Sequence, residues 1–318
     1  MQISLLELEN FRNYDHLSIG FSDGINIIYG ENAQGKTNIL ESIYMCSTGK
    51  SHKGSKEKDI IRSEEPEAHV KAEFKGEFSK KRVDIHLKKN KEKGIALNRV
   101  PLKKISELYG NIFVVMFSSE DLDIIKRGPS ARRRFMDIEL CQIDHLYVEN
   151  LINYNKILEQ RRELFKQLNE PGSNVHSLKD TLDIWDMQLV RFGSEIIKRR
   201  REFIDEINRI ISDIHLSITS GRENLRLVYE PSVSEDIFYE ECLRNRERDC
   251  YLKQTGAGPH RDDFSFYDRG TDMKTYGSNG QQRTCAVSLK LSEIKMIEDK
   301  KKEKPVLLLD DVDRKSVV

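Results

Sequence analysis

Apolar and polar positions alternate along Ile3-Ser4-Leu5-Leu6-Glu7-Leu8, Leu17-Ser18-Ile19 and Gly24-Ile25-Asn26-Ile27-Ile28, which predicts two or three strands joined by short turns. After Gly30 the period lengthens, and Thr37 to Met45 places Ile39, Leu40, Ile43 and Tyr44 on one side of a helix. Alternation returns between residues 68 and 100, with Val70, Ala72 and Phe74, then Val83, Ile85 and Leu87, around a lysine-rich tip at 88–94. Ile112 to Phe117 is continuously apolar, as in a strand buried on both faces. From about Ser130 to Ser217 apolar residues recur every three or four positions, and Gly and Pro are nearly absent outside Pro171-Gly172. That predicts a long helix, a loop around 169–177 and a second long helix running back. Strand character resumes at Leu225-Arg226-Leu227-Val228-Tyr229, followed by a helix at roughly 235–255. The last block reads loop, helix, strand over 277–280, 281–300 and 306–309.

Hydrophobic residues make up 37% and charged residues 33% of the 318, which suits a globular protein with helices on its surface. No apolar run approaches the roughly 18 residues of a membrane span. The strand-like start leaves no signal peptide, so a cytoplasmic protein without a membrane partner is expected. Cys46, Cys141, Cys242, Cys250 and Cys285 are scattered without C-x-x-C spacing and read as reduced thiols with no metal site. With 53 basic and 53 acidic residues the net charge is zero, so any nucleic-acid surface must come from local segregation of charge.

The chemistry lies in motifs. Gly30-Glu31-Asn32-Ala33-Gln34-Gly35-Lys36-Thr37 fits G-x-x-x-x-G-K-[ST] in full, after an expected apolar strand and at the start of a helix, the context a P-loop requires. Such a loop turns successive N–H groups onto phosphate oxygens. Lys36 reaches the β- and γ-phosphates of ATP, Thr37 ligates Mg2+, and the helix directs its positive end at the same anion. Pro305-Val306-Leu307-Leu308-Leu309-Asp310-Asp311 is an apolar strand ending in two carboxylates. Alone it reads equally as a strand ending in a polar turn. Beside a P-loop it makes Asp310 the magnesium ligand and Asp311 the residue that orients water. Ser278-Asn279-Gly280-Gln281 at a helix N-terminus offers a hydroxyl, free N–H groups and a dipole to an anion, or caps its own helix. Lys126-Arg127 with Arg132, Arg133 and Arg134 forms one basic cluster and Lys198 to Arg201 another. Each is a candidate DNA contact or a solvated, ion-paired helix face, and we carry Arg132, Arg133 and Arg134 forward as the DNA candidates.

The order P-loop, long insertion, signature, Walker B strand resembles that of ABC-type ATPases. The segments Asn10-Phe11-Arg12-Asn13-Tyr14, Gly30 to Asn38, Ser51-His52-Lys53, Phe117 to Leu122, Arg132 to Asp137 and Gly258-Pro259-His260-Arg261-Asp262-Asp263 resemble the RecF family. The resemblance runs over nearly the whole chain. It implies an α/β fold: an ABC-type ATPase head (a P-loop NTPase with a mixed sheet flanked by helices) carrying an inserted antiparallel helical arm. The expected division is 1–129 as the head with Walker A, 130–220 as the arm, and 221–318 as the rest of the head with signature and Walker B. It also implies Arg12 and Asn38 at the nucleotide, a signature that completes the ATP site of the opposite subunit, and an ATP-dependent homodimer. The implied work is binding DNA at gaps and single-strand/double-strand junctions, with RecR and RecO as partners and RecA loaded through them. Weak, DNA-stimulated ATP hydrolysis is expected, since Asp311 stands where many ABC-type ATPases carry Glu and a shorter side chain reaches water less well.

Two departures from the family are visible. Ser119 stands where the family usually has Pro. After Val312 the residues Asp313-Arg314-Lys315-Ser316-Val317-Val318 resemble nothing in the family, which continues with a D-loop, a further helix and strand, and a histidine-bearing switch. The expectation is a gene cut short, its last codons read from adapter sequence, with poor stability and impaired ATPase as the consequence. Among other classes, an SMC-like ATPase would separate P-loop and signature by hundreds of heptad-patterned residues, against about 240 here. The nucleotide-binding subunit of a membrane transporter would place them much closer.

Overall fold

Strand β1 (Gln2–Phe11) turns at Arg12 and returns as β2 (Tyr14–Gly20), with Leu6 opposite Ile19 and Leu8 opposite Leu17. A computed structural model describes residues 1–77, 79–168 and 175–310, the side chains of 175–179 excepted. Asp311 and the six residues 313–318 singled out above therefore lie outside the described residues.

The alternation read from 68 to 100 becomes β3 (Glu67–Lys75), β4 (Lys80–Lys88) and β5 (Gly94–Leu97), closed by β6 (Val100–Pro101). Asn98 and Arg99 join the last two in left-handed conformation (φ 52° and 68°), the backbone a two-residue hairpin requires. The result is one antiparallel sheet in the order β2-β1-β3-β4-β5-β6. Its period of two puts Leu6, Leu8, Val70, Ala72, Phe74, Val83, Ile85 and Leu87 on the buried face. Helix α1 (Lys36–Thr48) belongs to the same core through Ile39, Ile43, Tyr44 and Met45 and is buried from Glu41 to its end. The short α2 (Glu57–Ile60) and the parallel pair β7 (Val114–Phe117) and β11 (Val306–Leu309) complete this unit, Met1–Asp121 with Glu293–Val318.

The second unit, Leu122–Ser292, begins with α3 (Leu122–Lys126) and α4 (Pro129–Ile143). It continues through α5 (His145–Leu168) and α6 (Val175–Ile218) to β8 (Leu225–Glu230) and α7 (Phe238–Leu252). Strands β9 (Asp263–Asp268) and β10 (Thr271–Asp272) follow, then α8 (Met273–Tyr276) and α9 (Asn279–Lys301) as far as Ser292. Helical character begins near 130 and ends near 220, but β8, antiparallel to β9, also packs on α6, so the compact unit extends beyond the helices. Among the described residues no helix is long and apolar enough to cross a membrane.

Two sequence expectations are corrected. The helix expected to run unbroken from 130 stops at Asp144, which is extended (φ −140°, ψ 104°). Its carboxylate accepts the Tyr147 amide at 3.1 Å and so caps α5, while its other oxygen takes Arg199 at 2.8 Å. The segment from Gly24 to Ile28 forms no strand: no ladder pairs it among the described residues, and Ile25 and Ile27 are 92% and 79% exposed. Alternation marks a side-chain pattern, whereas a strand exists only with a hydrogen-bonded partner.

Candidate nucleotide site

The loop from Gly30 to Thr37 is held by its neighbours in sequence and in space. Gly35 takes φ 96°, a left-handed conformation that ends the loop and starts α1. A Cβ there would lie 2.6 Å from the Asn13 amide group and 2.8 Å from the Tyr14 hydroxyl, so a side chain would displace both as well as strain the left-handed backbone. Those two side chains brace the loop from outside, both donating to the Gln34 carbonyl, at 3.1 Å from Asn13 and 3.2 Å from Tyr14. Asn38, on the first turn of α1, donates to the Asn13 side chain at 2.8 Å. Ala33 also has positive φ (65°), which curls the chain toward the helix N-terminus.

Lys36 folds back across the loop and donates to the carbonyls of Gly30 (2.9 Å) and Glu31 (2.7 Å). Its ammonium therefore stands over the N-terminus of α1, where unpaired N–H groups and the helix dipole favour an anion. Thr37 Oγ1 donates to Asp310 Oδ1 at 3.0 Å. This contact joins the P-loop to the end of β11, and Asp310 is fixed there by its own amide, which donates to the Phe117 carbonyl at 2.8 Å. Two oxygens on adjacent corners of an octahedron, each about 2.1 Å from magnesium, lie about 3.0 Å apart. The Thr37 and Asp310 oxygens thus fit two ligand positions of that cation.

Arg12, expected at the nucleotide, has its guanidinium on groups of its own chain in this structure. It makes a two-pronged contact with Glu41 (3.0 and 2.7 Å) and also donates to the Asp59 carbonyl and the Ser55 hydroxyl. Glu41 is fully buried inside α1 and also accepts the Ser51 hydroxyl. Burial acts to raise its carboxyl, but the hydrogen bonds from Arg12 and Ser51, with the charge of Arg12, hold it below its ordinary value. Arg12 thereby ties the turn after β1 to α1, the helix that carries Lys36 and Thr37.

The signature turn belongs to the second unit. Ser278 Oγ accepts the Gln281 amide (3.2 Å) and Gln281 Oε1 accepts the Ser278 amide (2.9 Å), a reciprocal cap at the start of α9. Asn279 accepts Lys126 at 2.8 Å, and Gly280 follows in the first turn. Behind the turn, Gln281 donates to Glu223 (3.1 Å), whose other oxygen meets His215 of α6 (3.1 Å), and His215 meets Ser288 (2.8 Å).

The candidate DNA arginines are not equivalent. Arg132 is buried and donates twice to Asp263, at 2.6 and 2.8 Å, so its expected role at a phosphate is corrected to that of an internal ion pair. Arg133 donates to the Asp262 carbonyl at 2.8 Å, and burial lowers its pKa. Arg134 is exposed. In the other basic cluster Arg200 is buried against Asp137 (2.7 Å) and Asp262 (3.2 Å), while Arg199 and Arg201 pair with Asp144 and Glu235. The segments at 132–137 and 258–263 are thereby one polar network tying α4 and α6 to β9.

Residues 5–231 match the AAA domain family. The chain is 55% identical over 312 residues to "DNA replication and repair protein RecF" of Lachnospira eligens, a match covering 98% of this chain and 85% of that protein. The chain belongs to the RecF family. The protein of the same name from Lachnoclostridium phytofermentans is 54% identical, with 98% and 86% covered. In solved structures the chain resembles the recombination mediator protein RecF-ATP in the RecFOR pathway, with TM-score 0.92 at 35% identity, covering 99% of this chain and 87% of that one. Against the Smc head domain of Pyrococcus furiosus the TM-score is 0.50 at 16% identity, a likeness of fold alone. The fold is the ATPase head fold of RecF and SMC heads, as the motif order implied.

Sequence reasoning passed over three positions that the RecF-like head uses. Asn13 and Tyr14 lie in the segment Asn10–Tyr14 that resembles the family, and Glu41 is the one acidic residue of α1. The signal for Glu41 was available: a carboxylate buried amid Ile39, Ile43 and Tyr44 requires a cationic partner.

Proposed function

We propose that this chain binds ATP and magnesium at the P-loop and works on DNA as an ATP-dependent dimer in recombinational repair and replication. It engages gapped DNA at single-strand/double-strand junctions and helps RecR and RecO to load RecA. The observation that carries the reading is the 3.0 Å contact between Thr37 and Asp310 at the N-terminus of α1, in a chain 55% identical to a RecF protein.

In this reading Lys36 exchanges its two loop carbonyls for phosphate oxygens, and the N–H groups of the loop and first turn of α1 take the rest of the phosphate chain. Magnesium, held by Thr37 and Asp310, neutralises phosphate charge. Asp311 orients water, and its short side chain keeps hydrolysis slow. Ser278, Asn279, Gly280 and Gln281 face the nucleotide of the opposite subunit, so ATP binding and dimerisation become one equilibrium. Arg134 is the remaining candidate for DNA among the three arginines singled out.

The test is binding to a gapped duplex with and without ATP, alongside sizing, for wild type and Lys36→Ala. ATP-driven dimerisation and DNA retention, both lost in Lys36→Ala, support the reading. ATP binding that changes neither sinks the DNA-clamp assignment while leaving the nucleotide site intact.

A further inference from the structure

The outward face of the six-stranded sheet carries a row of side chains that the nucleotide site does not use. Across the strands, His16 of β2 is opposite Glu9 of β1, Glu9 is opposite His69 of β3, His69 is opposite His86 of β4, and His86 is opposite Gly94 of β5. Glu67 lies two residues before His69 and so shares its face. The imidazoles of His69 and His86 stack with centroids 3.9 Å apart and planes 24° from parallel. Glu67 reaches both, with Oε2 2.9 Å from His86 Nε2 and Oε1 3.8 Å from His69 Nε2. One ligand atom from each of the three lies within 4.8 Å of the others.

We propose that Glu67, His69 and His86 form a site for one divalent transition-metal cation of the zinc type. Two ligands each about 2.0–2.1 Å from a tetrahedral zinc ion lie about 3.3 Å apart, and each Glu67 oxygen stands near that distance from one histidine, Oε2 at 2.9 Å from His86 and Oε1 at 3.8 Å from His69. Two imidazole nitrogens and a carboxylate are a donor set suited to zinc, copper or nickel, whereas magnesium and calcium prefer oxygen alone. The neighbouring position on β5 is Gly94, with no side chain to close that flank. Among the described residues, Lys88 is the lysine or arginine paired with Glu67, at 4.0 Å, and its flexible stem lets it turn to solvent. A bound ion would pin β3 to β4, whose opposite faces hold Val70, Ala72, Val83 and Ile85 in the core that α1 shares.

Zinc chloride, and nickel chloride in parallel, would be titrated into the full chain without nucleotide, by calorimetry and by melting temperature. The same titrations would follow for His69→Asn, His86→Asn and the double variant. The expected result is one equivalent bound by wild type and a rise in melting temperature. Each single substitution should weaken binding by at least the roughly tenfold that even an outer partner of a metal ligand is worth. Equal zinc binding by wild type and double variant would place the ion elsewhere, for instance on cysteine, and overturns the site, as does no binding by wild type. Protection of the two histidines by zinc against diethyl pyrocarbonate in wild type gives a readout that needs no substitution, and absence of protection also overturns it. No nucleotide or DNA enters the test, so its failure leaves the proposed function untouched.

Discussion

At the scale of single residues, the loop depends on atoms that touch no ligand. Gly35→Ala would force a side chain into left-handed backbone, at about 1–2 kcal/mol, and press on Asn13 and Tyr14. The expected outcome is a lower melting temperature together with weaker ATP binding, read by thermal unfolding and by equilibrium titration. Glu41→Gln leaves a partly exposed Arg12 facing a neutral amide, and losing the two charge-assisted bonds costs about 1–3 kcal/mol. The sign of its pH dependence follows from the depressed carboxyl. Stability from Glu41 is fully present above the ordinary glutamate range and is lost as pH falls through the lowered folded value. Urea unfolding at stepped pH should therefore show wild type losing more stability than Glu41→Gln on acidification. The P-loop residues were legible in sequence because their spacing is local. The partners of Arg12 were not, because the pair joins two elements whose mutual placement no linear pattern encodes.

At the scale of elements, α9 and the turn before β9 each rest on a local device. Ser278→Ala removes half of the reciprocal cap and should cost about 1 kcal/mol, while Ser278→Thr retains a hydroxyl and should cost less. Thermal unfolding of both variants checks the order, and an equal loss in both would argue against capping. The Gly258–Asp263 turn holds His260 between the Tyr154 hydroxyl (2.7 Å) and the Thr255 carbonyl (2.9 Å). Burial lowers its pKa to about 4. An unfolded histidine titrates near 6.5, so the unfolded chain takes up the proton first as pH falls. Stability from this group is full above about pH 6.5 and declines toward pH 4, by up to about 3 kcal/mol. His260→Gln should flatten that part of the stability profile in denaturant titrations. Elements with a strict period were readable, as β3, β4 and the arm helices show. The break at Asp144 was not, because a cap inside a continuous helical pattern alters one residue and leaves the periodicity unchanged.

At the scale of the whole chain, the order of motifs carried the fold class, the segments resembling RecF carried the family, and the sheet strands followed from alternation. The segment 24–28 alternates but has no ladder partner among the described residues, because pairing is a property of two segments. The basic clusters misled for a related reason: Arg132 and Arg200 look cationic in sequence, but their carboxylate partners, Asp263 and Asp262, lie 131 and 62 residues further along the chain. The Thr37–Asp310 contact spans 273 residues, whereas the braces from Asn13 and Tyr14 span 21 and 20. On a ribosome adding roughly 5–20 residues per second, about 15–55 s separate the synthesis of its two halves. The loop and its braces can therefore take shape early in translation, while the cation-binding half of the site matures only after the entire arm has been made.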